Sequence, residues 1–377
     1  MIGRVAGRAP RSGLGPVFGN GAPARLVHDV ALTRGGEAKL ARGSGGRSSR
    51  SGRVATVFGA NGFLGRYVTS KLAAQGTLVT VPFREEMKKR FLKVTGDLGV
   101  VNFVEFDLRN VASIEAAVRD SDVVYNLIAR EYPTKNFSIR QANVESTRRI
   151  AEAAAKFGVD RFVQVSSFNA AADSPSEFLR TKFEAEQVAR AIIPHTTVVR
   201  PAVMYGFEDR YLRFLSRSQY DVSVNSYKDK NYPVHVTDVA EALVKIGQDH
   251  ATAGETFELR GPREWASYDV KAQIMGAARK RYYTVNFPYK ELAQSATEML
   301  NKVLWWPVGC ADQIERQFLD HKIDEAAKTF ADLGMKPDEL EAHLEFYVAH
   351  LRALLYQDLV DSPKQKREDA EAIHITY

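Results

Sequence analysis

Cysteine is almost absent from this sequence. Among 377 residues, Cys310 is the single cysteine. One thiol excludes an internal disulfide and every metal site that needs two or more cysteine ligands. Such scarcity is typical of a protein that works in a reducing compartment.

A long hydrophobic run is also missing. Hydrophobic residues make up 45% of the chain, yet no uninterrupted apolar stretch reaches the ~18 residues that a membrane-spanning helix requires. The chain is long enough for one large domain or two modest ones. We therefore expect a globular protein that is soluble or peripheral to a membrane.

Acidic residues are scarce in residues 1–50, which carry nine basic side chains against only Asp29 and Glu37. This segment has a net charge of +7, and since the whole chain carries +6, the remaining residues sum to −1. A leader rich in Arg, Gly, Ala and Ser predicts a mitochondrial transit peptide and a matrix location. A disordered basic tail is the alternative. The nearly neutral remainder does not favour nucleic-acid binding.

Short β-branched apolar segments alternate with helical patterns through the first two thirds of the chain. The predicted strands are residues 53–58, 78–81, 101–106, 122–127, 161–165 and 197–200. The predicted helices between them include residues 65–75, 111–118 and 141–157. This alternation predicts an α/β fold with a doubly wound parallel sheet. The aromatic stretch 205–232 is expected to be irregular and to lie beyond the carboxyl ends of the strands.

A glycine-rich loop separates the first predicted strand from the first predicted helix. It reads Gly59-Ala60-Asn61-Gly62-Phe63-Leu64-Gly65. Glycines at this spacing let the backbone turn tightly and approach a pyrophosphate, whose charge the helix N-terminus stabilises. Such turns also occur without a ligand, but the position between strand and helix favours a dinucleotide. The predicted contacts are Gly59, Asn61, Gly62, Phe63, Leu64 and Gly65.

The end of the second strand indicates which dinucleotide is bound. It reads Val81-Pro82-Phe83-Arg84, with no carboxylate before Glu85. A carboxylate there would bind the ribose 2′-hydroxyl of NAD, whereas an arginine offers several donors to a 2′-phosphate. We therefore predict NADPH as the cofactor, with Arg84 as a ligand of its phosphate. A solvated surface arginine is the alternative.

Two further strand ends carry candidate cofactor contacts. Asp107 follows the third strand, where its carboxylate can accept from the adenine amino group, or can simply close a turn. Leu127 and Ile128 end the fourth strand, beside the expected path of the ribose and diphosphate. Packing within the sheet explains those two residues equally well.

The fifth and sixth strand ends complete an ordered series of motifs. Ser167 follows the fifth strand, Phe178 and Lys182 lie four residues apart on the next helix, and Pro201 ends the sixth strand. With the segments 199–206 and 233–240, this series resembles the extended and atypical short-chain dehydrogenase/reductases. The resemblance covers residues 53 to about 262. It implies a Rossmann fold, with Ser167, Phe178 and Lys182 in the positions of the serine, tyrosine and lysine of that family.

The resemblance fails at the catalytic acid. In the family the lysine bonds the nicotinamide ribose and the tyrosine exchanges a proton with the substrate. A phenyl ring can neither donate nor accept that proton. Lys182 keeps the first role, unless it is an ordinary helix lysine, and Pro201 is expected to contact the cofactor. We predict no catalytic residue, with His235 and Tyr205 as the nearby candidates for a replacement acid.

A narrower resemblance lies in residues 92–99, 132–137, 179–182 and 206–210, together with the leader. These segments are similar to the nucleotide-binding accessory subunits of mitochondrial respiratory complex I. The resemblance implies NADPH as cofactor, other complex I subunits as partners, and a place on the matrix side of the inner membrane, with lipid contact as a further expectation. Within these segments, Asn136 and Asp209 have no chemical role that the sequence defines.

The sequence therefore predicts three regions. These are a leader (residues 1–50), a Rossmann nucleotide-binding domain (51–265) and a smaller, mostly helical docking region (266–377). In the last region, Trp305-Trp306-Pro307 is either buried or an exposed anchor for a partner or a membrane. Three functions compete: a non-catalytic accessory subunit, an active NADP-dependent reductase or epimerase, and a nucleotide-sensing regulator.

Overall fold

A computed structural model describes residues 29–32, 38–41, 49–217, 220–304 and 309–352. Most of the predicted transit peptide lies outside the described residues, and so does Trp305-Trp306-Pro307. The interpretations of both segments stay predictions.

A seven-stranded parallel sheet forms the centre of the molecule. Its strands are β1 (Val54–Phe58), β2 (Leu78–Phe83), β3 (Val101–Glu105), β4 (Val123–Asn126), β5 (Arg161–Val165), β6 (Thr197–Pro201) and β7 (Thr256–Leu259). Their order is β7-β6-β5-β4-β1-β2-β3, and all neighbours are parallel. The prediction of a doubly wound parallel sheet is confirmed. The strand β7 was not predicted.

Helices cover both faces of the sheet and continue into the C-terminal region. They are α1 (Phe63–Ala74), α2 (Val111–Val118), α3 (Ser146–Lys156), α4 (Glu177–Ile192), α5 (Tyr211–Ser216), α6 (Val236–Gln248), α7 (Ser267–Ala277), α8 (Lys290–Val303), α9 (Ala311–Arg316) and α10 (Leu340–Val348). One hydrophobic core lies between the sheet and α1 with α6, and another between the sheet and α2, α3 and α4. Because both faces are covered, β4 and β5 are buried along their whole length.

Side-chain caps fix where two of these helices begin. The Asn110 carboxamide accepts a hydrogen bond from the Ala112 amide at the start of α2, and the Ser176 hydroxyl accepts one from the Leu179 amide at the start of α4. Each cap satisfies an amide that has no partner within its helix.

The predicted helix 141–157 is divided into two parts. Its first turn, Gln141–Glu145, is π-helical, and α3 follows it. The hydroxyls of Ser146 and Thr147 donate to the carbonyl oxygens of Ala142 and Asn143, at 2.6 and 2.7 Å. Such bonds to the backbone compete with regular helix geometry, which accounts for the irregular turn.

Residues beyond β7 pack on the aromatic stretch 205–232. Short strand pairs join Lys230–Asn231 to Trp265–Ala266 and Tyr220–Ser223 to Tyr283–Asn286. A third hydrophobic core contains residues of α5, α7 and α10. The remaining short pairs are Met204–Tyr205 with Val234–His235 and Asp29–Leu32 with Ala38–Ala41. Strand pairing and packing cross the proposed boundary at residue 265/266. The division into two regions there stays a prediction.

The remaining helices of the described residues are 3-10 helices, one of nine residues and three of a single turn. They are Glu86–Val94, His250–Thr252, Ala331–Leu333 and Ala349–Leu351. In the part of the chain that the structure describes, none of the helices is both long enough and apolar enough to cross a membrane.

Packing of α6 on the sheet can be tested at Gly247, where a Cβ would overlap the hydroxyl of the buried Tyr125. We expect Gly247→Ala to lower the free energy of unfolding by about 1–2 kcal/mol, because overpacking outweighs the gain in helix propensity. A Cβ at Gly276 in α7 meets no atom within 4 Å, so Gly276→Ala should raise stability by about 0.5–1 kcal/mol. Urea unfolding measures both, and a gain in both variants would contradict this packing.

Candidate functional site

The strand order reverses between β1 and β4, and the glycine-rich loop lies at that reversal. Gly59 directly follows β1, and its φ of +82° is one that a residue with a side chain rarely adopts. A Cβ there would lie 3.1 Å from the Leu127 carbonyl carbon and 3.3 Å from the Ile128 amide nitrogen. The structure thus brings Gly59, Leu127 and Ile128 together, at the crevice where open α/β sheets bind ligands.

The loop leads into the N-terminus of α1, which is arranged to receive an anion. The Gly62 amide donates to the Gly59 carbonyl oxygen at 2.9 Å, and the first turn of α1 contains no acidic residue. Gly62 gives this helix no side-chain cap, so its first amides stay available to a phosphate. A Cβ on Gly65 would lie 2.6 Å from the Ala60 Cα, so the third glycine is required for close packing of loop and helix.

The side chains of the first two residues of α1, Phe63 and Leu64, pack into the protein. Leu64 is buried in the core beside α6, and Phe63 packs against the same core and against Gly206. Any contact of Phe63 and Leu64 with a phosphate is therefore expected to use their backbone amides. That role stays a prediction.

Two buried polar atoms at this edge of the sheet have no hydrogen-bond partner among the described residues. They are Asn61 Oδ1 in the glycine-rich loop and Ser166 Oγ directly after β5. Buried polar atoms are nearly always hydrogen-bonded, so both atoms are suited to a polar ligand. Ser166 was missed in the sequence, which indicated Ser167. Together with the glycine cradle, these atoms show that the residues present fit a dinucleotide.

Arg84 and Asp107 lie at the same carboxyl edge, and both are exposed. Arg84 directly follows β2, as expected, and its contact with a 2′-phosphate stays a prediction. The Asp107 carboxylate accepts the Arg109 amide at 2.7 Å. Asp107 therefore closes a turn, and its contact with adenine stays a prediction.

Lys182 and Phe178 are both buried on α4, with 2% and 6% of their surface exposed. The Lys182 ammonium donates to the Val165 carbonyl oxygen at 3.1 Å, which leaves two of its three protons for a ribose. Burial lowers the pKa of Lys182 to about 8, although Glu186 and Glu131 act in the opposite direction. Ser167 lies on the loop after β5 and Pro201 ends β6, and the Phe168 amide of that loop donates to the Pro201 carbonyl oxygen at 3.2 Å.

Asn143 is a further site residue that the sequence did not reveal. It lies on the π-helical turn, and its side-chain amide donates to the Thr181 hydroxyl at 3.1 Å and to the Arg130 carbonyl oxygen at 3.2 Å. Its side-chain oxygen Oδ1 accepts from the Arg130 backbone amide at 2.9 Å. Asn143 thereby joins the loop after β4 to the helix that carries Lys182. An asparagine inside a helical pattern was the available signal.

Helix α9 lies over the position of the missing tyrosine. The Arg316 guanidinium carbon is 4.8 Å from the centroid of the Phe178 ring, and Arg316 forms ion pairs with Glu131 at 3.4 Å and Asp312 at 3.5 Å. Asp312 also accepts from the Ser176 hydroxyl at 2.8 Å and the Glu177 amide at 2.7 Å. The sequence did not indicate these contacts.

The residues after α9 are bound to the loop that follows β5. Asn169 has a φ of 60°, and its side chain donates to the Asp320 carbonyl oxygen at 2.7 Å and accepts from the Lys322 amide at 2.8 Å. The His321 and Phe168 rings lie 4.8 Å apart. Burial lowers the pKa of His321 to about 4, against a small opposing effect of Asp320.

His235 and Tyr205, the candidates for a replacement acid, pack on α10. The His235 Nε2 atom is 2.8 Å from the Tyr347 hydroxyl, and its ring stacks on His343 at 4.5 Å. Burial lowers the pKa of His235 and raises that of Tyr205. These contacts give both rings a structural role.

The chain is similar in sequence to a family of nucleotide-dependent enzymes and to mitochondrial proteins. Residues 55–259 match the model of the NAD dependent epimerase/dehydratase family. The chain is 50% identical over 352 residues to the mitochondrial NADH-ubiquinone oxidoreductase 40 kDa subunit of Neurospora crassa, covering 93% of each chain. It is 39% identical over 340 residues to NADH dehydrogenase [ubiquinone] 1 alpha subcomplex subunit 9, mitochondrial, of Arabidopsis thaliana, covering 86% of this chain and 84% of that protein.

A solved structure with the same fold is the NADPH-dependent quinone oxidoreductase QOR2 of Escherichia coli, complexed with NADPH. Its TM-score is 0.62 at 17% sequence identity, covering 78% of this chain and 99% of that one. At this identity the likeness shows the fold alone.

Acid should release the segment around His321. A released imidazole takes up a proton near its ordinary pKa of 6.5, whereas the buried ring does so only near pH 4. The free energy that favours the bound over the released segment is therefore fully present above about pH 6.5. It falls by on the order of 3 kcal/mol as the pH falls to 4. Hydrogen exchange of residues 309–322, corrected for intrinsic rates, should show this opening. His321→Phe, which keeps a ring on Phe168, should remove the pH dependence, and an unchanged pH dependence in this variant would contradict the assignment.

Proposed function

Because the chain belongs to the family of the mitochondrial NADH-ubiquinone oxidoreductase 40 kDa subunit, built on a unit of the NAD dependent epimerase/dehydratase family, we propose that it is a non-catalytic, NADPH-binding accessory subunit of complex I. One observation carries this proposal. The similarity to the Neurospora subunit spans 93% of both chains, and so it includes the region beyond the nucleotide-binding unit.

NADPH is the form of the cofactor that the site favours. The glycine loop and the α1 N-terminus would hold the diphosphate, Arg84 the 2′-phosphate, and Lys182 the nicotinamide ribose. NADPH, when bound, is a hydride donor. The residues of this chain bind and orient it, but Phe178 has no proton to exchange with a carbonyl, and such acid catalysis is typically worth ~10²- to 10⁴-fold.

An NADP-dependent reductase or epimerase is the second candidate. The retention of a buried Lys182 in the family position favours it. Against it stand the phenyl ring at residue 178 and the packing of His235 and Tyr205 against Tyr347 of α10. A structural role for the nucleotide accounts for all three observations, since a ligand at a hundred times its Kd stabilises the fold by about 2.7 kcal/mol without any chemistry.

The C-terminal region offers a surface for docking on the matrix side of the inner membrane. Helix α8 buries none of its residues, and Leu292, Met299, Leu300 and Val303 are 48–78% exposed. Their spacing of 7, 8 and 11 residues from Leu292 puts them on one face of the helix. Exposed apolar faces of this kind mark sites of protein or membrane contact. We assign this face to the neighbouring subunits of the complex.

Nucleotide choice tests the role of Arg84. Losing hydrogen bonds to a charged phosphate costs about 1.5–3 kcal/mol, so Arg84→Ala should weaken NADPH binding about ten- to a hundredfold and leave NADH nearly unchanged. Titration calorimetry with both nucleotides measures the effect. Arg90→Ala, an exposed arginine in the same segment, is the matched control. Equal losses for both nucleotides in Arg84→Ala would refute the assignment.

Docking is tested on α8. The double variant Met299→Glu, Val303→Glu changes exposed side chains only, so the free energy of unfolding should stay within about 0.5 kcal/mol. Incorporation into complex I should nevertheless fall sharply, because charges would be buried in the interface. Native electrophoresis of mitochondrial membranes reads this out. Phe207→Glu, at a residue that is 75% exposed outside the C-terminal region, is the control. Normal assembly of the double variant would exclude this face.

A further inference from the structure

Residues 309–322, which include α9 and are called the strap below, lie across the loops that surround the nucleotide site. The strap bonds to the loop after β5 through Asn169 and to the start of α4 through Asp312. It reaches the loop after β4 through the pair of Arg316 and Glu131. A further bond joins the Asn225 side chain to the Gln317 carbonyl oxygen at 2.6 Å. The strap is thus anchored on several sides.

Arg316 is the strap residue whose side chain lies against Phe178. Its side chain is 22% exposed, and its guanidinium faces the Phe178 ring at 4.8 Å. Two carboxylates hold it there, from Glu131 and Asp312, and Glu131 is itself paired with Arg210 at 3.6 Å. A planar guanidinium held between two carboxylates and stacked on a ring is well fixed in position.

The contact of Arg316 with Phe178 matters because the related dehydrogenases carry their catalytic tyrosine at the position of residue 178. An acid there must reach the oxygen of the substrate, whose carbon receives the hydride. Whatever lies against the side chain of residue 178 therefore occupies space that a substrate carbonyl would need. Arg316 cannot replace the acid, because a guanidinium stays protonated.

We propose that the strap is an intramolecular occupant of the substrate side of the nucleotide site, and that Arg316 excludes small carbonyl and quinone substrates from the nicotinamide. The inference rests on the proposed binding of NADPH and adds a second barrier to turnover, independent of Phe178. It also gives the strap a protective role, since a covered nicotinamide is shielded from solutes. The nucleotide and the C-terminal region meet at this contact.

Solute access to bound NADPH tests the proposal. The full chain is loaded with NADPH, and quenching of the nicotinamide fluorescence by acrylamide is measured. In Arg316→Gly the quenching constant should rise about threefold or more, because the side chain that excludes solutes is gone. Arg210→Gly is the matched control: it removes the other arginine on Glu131, which is 73% exposed, and should leave quenching unchanged.

The outcomes separate the two proposals. Failure of the wild-type chain to bind NADPH would overturn the proposed function and this inference with it. Bound NADPH that is quenched equally in the wild type and in Arg316→Gly would overturn this inference alone.

A second measurement needs no substitution. Cys310 is half-buried, lies directly before α9 and is the single thiol of the chain, so a thiol reagent reports on the strap. NADPH should slow the labelling of Cys310 by about threefold or more, because the bound nucleotide stabilises the strap in its position over the site. An unchanged rate with saturating NADPH would contradict contact between strap and nucleotide.

Discussion

The close approach of Gly59 to the backbone of Leu127 is the constraint on which the site depends. It occurs where the strand order reverses between β1 and β4, so it opens a crevice beside the α1 N-terminus. A side chain at residue 59 would require both a strained φ and a displaced neighbouring strand. The parallel sheet, buried on both faces, holds the two strands in register and so keeps this approach fixed.

The site combines a glycine-rich nucleotide loop with a phenyl ring at residue 178, where the related dehydrogenases carry a proton donor. Lys182 is buried and donates to the Val165 carbonyl oxygen, and Asn143 connects the helix of Lys182 to the loop after β4. At residue 178 an apolar ring replaces a proton donor, and an arginine from the strap lies against it.

The C-terminal region connects this site to the surface of the protein. Its residues pair with the aromatic stretch 205–232, and the strap bonds to the loops around Phe178. Helix α8 adds an exposed apolar face, while α10 packs on His235 and Tyr205. A nucleotide that stabilises the loops would thereby also stabilise the elements available for docking.

The sequence by itself determined the doubly wound sheet and the glycine loop, and it placed Arg84 at a strand end and Phe178 on a helix. These features depend on local periodicity and on motifs of short spacing. It did not reveal β7, which joins the sheet edge after a long connection. Nor did it reveal Ser166, Asn143 or the strap. The contact of Arg316 with Phe178 joins residues 138 positions apart. The hydrogen bonds that Asp312 accepts from Glu177 and Ser176 join residues 135 and 136 positions apart. Only the tertiary structure decided these contacts, because long-range packing follows from how the elements fill space together and leaves no pattern in the local sequence.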